Sequence, residues 1–201
     1  TEREIYNLAK RLVKFLWDQK ARIIVIACNT ITVFCIDRLR RDFPQVPIVG
    51  TVPAVKAAAE TTRNKRIGIL STIATAKSKY QKNLINKFAK DCLVVNKGDI
   101  ELVSYIEKGN TKRKKIKKIL RDSLKEFLAK DVDVIALGCS HFPFLKDEIG
   151  EIMGDRVKIL DSSPAFIEKE KNRYIYNIIL KFSPEFRIDE IIDFVPSGWS
   201  V

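Results

Sequence analysis

Short runs of Ile and Val alternate along this chain with longer stretches in which apolar residues recur every three or four positions. The runs "RIIVIA" (22–27), "PIVG" (47–50), "RIGIL" (66–70), "CLVV" (92–95), "DVIALG" (133–138) and "VKIL" (157–160) have strand length and are almost continuously apolar. Continuity of this kind marks parallel strands covered on both faces. A helical period appears near 2–19, 30–42, 53–62, 76–90, 100–108, 111–130, 143–153 and 163–171. A last helix is expected near 184–194, with Pro184 in its first turn. "KNRYIYNII" (171–179) is a candidate for one more strand. Strand–helix alternation predicts an α/β fold with parallel sheets and helices on both faces.

Two of the strands share a plan. "IIVIACNT" (23–30) and "VIALGCSH" (134–141) each run from an apolar strand through a small residue to a cysteine, two polar residues and the start of a helix. The repeat predicts two related halves, each presenting a cysteine at the carboxyl end of a strand. Ligands of open α/β sheets bind outside those ends. The amides of the following helix are expected to favour the thiolates of Cys28 and Cys139 and lower their pKa. Cys35 lies among Val33, Phe34 and Ile36 and reads as core, and Cys92 opens an apolar strand and reads as packing. His141 is the sole histidine, two positions after Cys139, which marks it as a working group rather than a structural one.

Composition narrows the function classes. With 201 residues, 46% hydrophobic and 31% charged, the chain can bury a sizeable core. No apolar run approaches the ~20 residues that span a bilayer, and the charged, helix-periodic opening is no signal peptide. A soluble, cytoplasmic protein with no membrane partner is the expectation. The chain opens on Thr1 in a helix, whereas parallel-sheet proteins usually open on a strand, so a preceding piece is expected. The net charge of +12 raises a nucleic-acid partner. Only "KRKKIKK" (112–118) concentrates that charge, and Ile116, Ile119, Leu120, Leu124, Phe127 and Leu128 keep an apolar stripe behind it. No interleaved aromatics accompany the lysines, so a nucleic-acid partner is not expected. Four cysteines without a Cys-x-x-Cys pair, and one histidine, give no metal site.

Three chemistries could use two strand-end cysteines. A Cys–His nucleophile would act as in thiol hydrolases. A redox pair would join the two thiols. A two-base proton transfer would set one thiol on each face of a carbon acid. The repeat favours the last, because a nucleophile needs only one such cysteine.

"ACNTIT" (27–32) and "LGCSHFP" (137–143) resemble the paired cysteine motifs of the glutamate racemases, in the cofactor-independent aspartate/glutamate racemase family. "VPIVGTVPAVKAA" (46–58), "RIGILSTIATAKSKYQ" (66–81) and "LVSYIEKG" (102–109) are similar to further family segments in the same order, and "SPEFRIDEIIDF" (183–194) resembles the closing helix more loosely. The resemblance implies two similar parallel-sheet α/β subdomains related by a pseudo-two-fold axis, with the active site in the cleft between them. Residues 1–51 and 162–201 would form the first and 52–161 the second. It implies Cys28 and Cys139 as catalytic acid/bases, with His141 assisting Cys139 and Glu107 tuning the site. It implies Asn29, Thr30, Ser140 and His141 as substrate-binding groups, with Thr72 and Thr75 lining the cleft. Ser140 stands where the family usually has Thr, and Phe142 where it has Tyr. The family's N-terminal "DSG" segment and its "PYG" loop have no counterpart here. The implied activity is interconversion of L- and D-glutamate without cofactor or metal, for bacterial peptidoglycan synthesis. The histidine after the second cysteine favours glutamate over aspartate. A racemase or isomerase of aspartate or another small acid is one alternative, and a non-catalytic nucleic-acid-binding protein another. A homodimer is compatible with either.

Overall fold

The computed structural model describes residues 1–109 and 114–162. Helix α1 (Glu2–Asp18) opens on a capping box, in which the Thr1 hydroxyl accepts the Glu4 N–H and the Glu4 carboxylate accepts from the Thr1 main-chain nitrogen. Strand β1 (Ile24–Ile26), helix α2 (Asn29–Asp42) and strand β2 (Ile48–Gly50) follow, with β1 and β2 paired in parallel. Ile24, Ile26 and Ile48 bury against Leu12, Leu16 and Leu39 of the two helices in one core. Across the outer side of that pair, Lys10 bonds Asp42 at 2.6 Å and Arg38 stacks on the Tyr6 ring at 3.6 Å.

A second sheet takes the order β4–β3–β5–β6, all parallel. Its strands are β3 (Arg66–Thr72), β4 (Leu93–Asp99), β5 (Val134–Gly138) and β6 (Lys158–Leu160). The helices are α3 (Val55–Thr61), α4 (Ile73–Lys77), α5 (Lys79–Phe88), α6 (Glu101–Glu107), α7 (Lys114–Ala129) and α8 (Lys146–Met153). A 3-10 turn, Phe142–Leu145, leads into α8. The continuous apolar runs now have a physical reason. In β5, Val134 and Ala136 join a core with Val55 and Ala58 of α3. Ile135 and Leu137 join the opposite core, with Leu120, Leu124 and Phe127 of α7. Each fully buried Leu, Ile or Phe contributes about 1.5–3 kcal/mol, so both faces must be covered for the sheet to persist.

Most boundaries follow the apolar pattern. The predicted helix 76–90 divides at Ser78, whose backbone is extended at φ −65° and ψ 145°. The Ser78 hydroxyl accepts the Gln81 N–H at 3.1 Å and donates to the Thr75 carbonyl at 2.7 Å. A serine that bonds the backbone locally ends one helix and caps the next. Strands β3 and β4 run past their apolar stretches, because ladder pairing carries Ser71 opposite Gly98 and Thr72 opposite Asp99. The helix expected at 143–153 opens as the 3-10 turn, with Pro143 in its first turn, and becomes α-helical at Lys146. The helices expected at 163–171 and 184–194, the strand candidate 171–179, and the assignment of 162–201 to the first subdomain lie in or extend into residues outside those described. Among the described residues no helix is long and apolar enough to cross a membrane.

Gly138 ends β5 where its strand partner Ser71 and Pro53 approach the backbone closely. A Cβ there would lie 2.9 Å from the Ser71 Cβ and 3.4 Å from the Pro53 Cβ. Gly138→Ala should therefore cost about 1–3 kcal/mol, read as a fall in the urea midpoint. An unchanged midpoint would show that the strand end has slack.

Candidate active site

Both repeat cysteines sit at carboxyl ends of strands, on the two different sheets. Cys28 follows β1 and is the N-cap of α2, with extended backbone at φ −136° and ψ 115°. Cys139 follows β5 directly and is buried, at 7% exposure. Thr30, two residues after Cys28, meets Thr72 at the end of β3, the strand that pairs with β5, so the two cysteine-bearing rims face each other.

Behind Cys139 lies a relay. His141 Nδ1 is 3.7 Å from Cys139 Sγ, and His141 Nε2 bonds the Glu107 carboxylate. Glu107 is the last residue of α6, so its carboxylate arrives from a separate element. His141 is buried and Glu107 partly exposed. The carboxylate orients the imidazole and leaves Nδ1 facing sulfur.

The gap is also bridged by hydroxyls. Thr30 Oγ1, at the start of α2, lies 3.0 Å from Thr72 Oγ1 and 3.1 Å from Thr75 Oγ1. Thr72 Oγ1 lies 3.0 Å from Thr75 Oγ1 and accepts the Thr75 N–H at 3.2 Å. Three hydroxyls in mutual contact can each donate one hydrogen bond and accept one. Thr72 also N-caps α4, so its capping and cleft-lining readings hold together. Asn29, next to Cys28, is 2% exposed, and neither atom of its amide has a partner among the described residues. An unpaired buried polar group costs about 1–3 kcal/mol. Thr32 and Gln81 also carry an unpaired buried oxygen, so the place of Asn29 beside Cys28 is what suits it to a ligand. Ser140 is half-buried in the turn between Cys139 and His141.

The expectation that helix amides lower the thiol pKa values is corrected. Burial pushes Cys139 up to about 12, with the Cys28 and Glu107 charges adding to it. The backbone N–H groups of His141 and Phe142 pull the other way and lose. Burial also raises Cys28, against the amides of Ile31 and Thr30 and the Thr30 hydroxyl. Desolvation of a thiolate therefore outweighs the partial charges of one helix start. Cys35, at 1% exposure, is core as expected, and burial raises it to about 11. Among the described residues no cluster of His, Cys, Asp or Glu could hold a metal ion.

Sequence reasoning passed over Asp99, which accepts the N–H groups of Glu101 and Leu102 at 2.8 and 2.9 Å and so starts α6. An acidic residue just before an apolar-periodic stretch is the signal that could have found it.

The raised thiols predict a stability profile. A thiol whose folded pKa exceeds its unfolded one holds its proton more tightly when folded. Its stabilisation is complete below the ordinary value of 9.0 and is lost as pH rises to about 12. Across that window Cys139 should lower stability by about 1.4 kcal/mol per pH unit. The difference between parent and Cys139→Ser urea midpoints should show that slope. A flat difference would refute the dominance of burial.

The sequence matches the Asp/Glu/Hydantoin racemase family over residues 2–169. It is 35% identical over 173 residues to the glutamate racemase of Clostridium perfringens (strain SM101 / Type A), covering 86% of this chain and 66% of that protein. It is 40% identical over 151 residues to the glutamate racemase of Shewanella sp. (strain MR-4), covering 75% of this chain and 55% of that protein. The chain thus spans less than two thirds of the length of these relatives. Among solved structures, Escherichia coli glutamate racemase in complex with L-glutamate and the activator UDP-MurNAc-ala superposes with a TM-score of 0.76 at 30% identity, covering 84% of this chain and 64% of that one. The Francisella tularensis glutamate racemase in complex with D-glutamate gives 0.69 at 26%, covering 85% and 66%. With two parallel sheets, a cysteine at the end of a strand in each, and a family match over most of its length, this chain belongs to the Asp/Glu/Hydantoin racemase family.

Proposed function

We propose that the protein is a glutamate racemase that interconverts L- and D-glutamate by proton transfer at Cα between Cys28 and Cys139. The observation that carries this reading is the pair of strand-end thiols from two sheets that meet through Thr30, Thr72 and Thr75, with His141 and Glu107 behind one of the thiols. The names of the relatives, and the L- and D-glutamate in two of the solved structures, support the substrate.

The chemistry is balanced within the two thiols and the substrate. One cysteine, as thiolate, takes the Cα proton and becomes a thiol. The other, as thiol, delivers its own proton to the opposite face and becomes a thiolate. The centre is inverted, and the reverse reaction exchanges the roles. No oxidant or electron acceptor enters. Because both thiols are raised by burial, the thiolate needs positive charge beside it, and the substrate's ammonium group supplies it on binding. Asn29, Thr30, Thr72, Thr75 and Ser140 hold the ammonium and carboxylate groups, the three threonines exchanging their contacts with one another for contacts with substrate and Asn29 gaining the partners it lacks. His141 serves Cys139 through Nδ1, and Glu107 fixes the imidazole. Fixed donors in a water-poor cleft stabilise the developing carbanion. Residues 1–51 with 162–201, and residues 52–161, act as the two subdomains that close over the substrate. The reading includes no pyridoxal phosphate and no metal. Its product would serve peptidoglycan synthesis in a bacterial cytoplasm.

In the whole protein, Cys28→Ser and Cys139→Ser should each lower kcat by about 10²–10⁴-fold, measured by circular dichroism as loss of optical rotation from either enantiomer. In D₂O, deuterium should enter the product enantiomer before the remaining substrate. Racemisation that survives either substitution would sink the two-base reading, and faster turnover of aspartate than glutamate would reassign the substrate.

A further inference from the structure

Asp99 lies outside the relay yet holds one end of it. Its Oδ1 accepts the N–H groups of Glu101 and Leu102, the first two residues of α6. Its Oδ2 accepts the hydroxyl of Ser123, on α7. One carboxylate thus ties the start of α6 to a helix whose apolar face is fixed in the core by Ile116, Leu120, Leu124 and Phe127.

Helix α6 is only seven residues long. A helix that short does not hold itself together in water. Its first amides need partners from outside, and Asp99 supplies two of them with a charge that suits a helix N-terminus. Ile100, the N-cap residue, makes no side-chain bond of its own. Leu102 and Ile106 anchor α6 by apolar packing, but apolar contacts are non-directional and leave the helix free to slide or turn slightly. The carboxylate bonds are directional. The other end of α6 is Glu107, bonded to His141 Nε2.

We infer that Asp99 is a positioning residue, which fixes where α6 begins and thereby where Glu107 meets His141 beside Cys139. The line runs from Ser123 through Asp99, the two turns of α6, Glu107 and His141 to sulfur. Asp99 touches neither thiol in this arrangement and acts only through α6. Its effect on turnover rests on the racemase reading, whereas its effect on the imidazole does not.

The chain has one histidine, so its imidazole Hε1–Cε1 NMR peak is assigned without ambiguity. Uniformly labelled whole protein is compared as parent, Asp99→Ala, Asp99→Asn, Ser123→Ala, Glu107→Gln and the Asp99→Ala/Glu107→Gln double variant. The peak of Asp99→Ala should move from the parent position toward that of Glu107→Gln. Asp99→Asn should stay near the parent, because its Oδ1 still accepts both amides. Ser123→Ala should move part of the way, and it carries the test if Asp99→Ala does not fold. In the racemisation assay Asp99→Ala should lower kcat/KM by about tenfold and cost nothing further in the Glu107→Gln background. A residue that merely stabilises the fold would leave the peak in place and its losses would multiply with those of Glu107→Gln, and either result overturns the inference. If the peak moves as expected but no variant or parent racemises glutamate, the racemase reading falls and the positioning role stands.

Discussion

Parallel pairing forces every strand of a sheet to end at the same edge, and the rest of this molecule is arranged around that constraint. Strands β3 and β4 bring Thr72 and Asp99 to one rim in register, and β5 ends beside them at Gly138, opposite Ser71, with Cys139 the next residue. The register is held by cores on both faces, so neither side of the sheet can shift without exposing apolar surface. Gly138 is one place where the constraint is tight, since Ser71 and Pro53 leave little room for a side chain there. The first sheet does the same with β1 and sets Cys28 at the head of α2. The gap between the two rims collects the polar groups that neither core can accept.

The electrostatics of that gap follow from burial. Helix starts offer partial positive charge to both thiols, yet the loss of water raises both of them. A protein that needs one thiolate and one thiol at a time benefits from this imbalance under the racemase reading. Burial disfavours ionisation of both, and under that reading a charged substrate tips the balance only where it is bound. The Glu107–His141 pair stands behind one thiol, and among the described residues no such pair stands behind Cys28. The two halves of the repeat are therefore alike in backbone plan and unlike in what supports each cysteine.

The family match and the geometry bear on different questions. Identity to the Clostridium and Shewanella proteins runs over most of this chain and establishes kinship. It says nothing of Asp99 or of the three-threonine contact, which emerge from distances. The basic surface stays apart from both. Lys114, Lys115, Lys117 and Lys118 lie on α7, whose opposite face is buried at Ile116 and Leu120, as an amphipathic helix requires.

The sequence by itself determined the alternation of strands and helices, the parallel sense of the sheets and the two cysteine-bearing strand ends. Those features depend on periodicity and on residues a few positions apart, which are local. It determined His141 and Cys139 as neighbours for the same reason. What tertiary structure alone decided was which distant groups meet. Thr30 reaches Thr72 and Thr75 because two sheets face each other, and Glu107 reaches His141 because α6 is pinned at its far end. The reversal of the expected thiol pKa values belongs here as well. Helix starts can be read from sequence, but the burial that overrides them is a sum over contacts from the whole fold. The extension of β3 and β4 into polar residues has the same origin, because a ladder partner, and not an apolar side chain, keeps Thr72 and Asp99 in the strand.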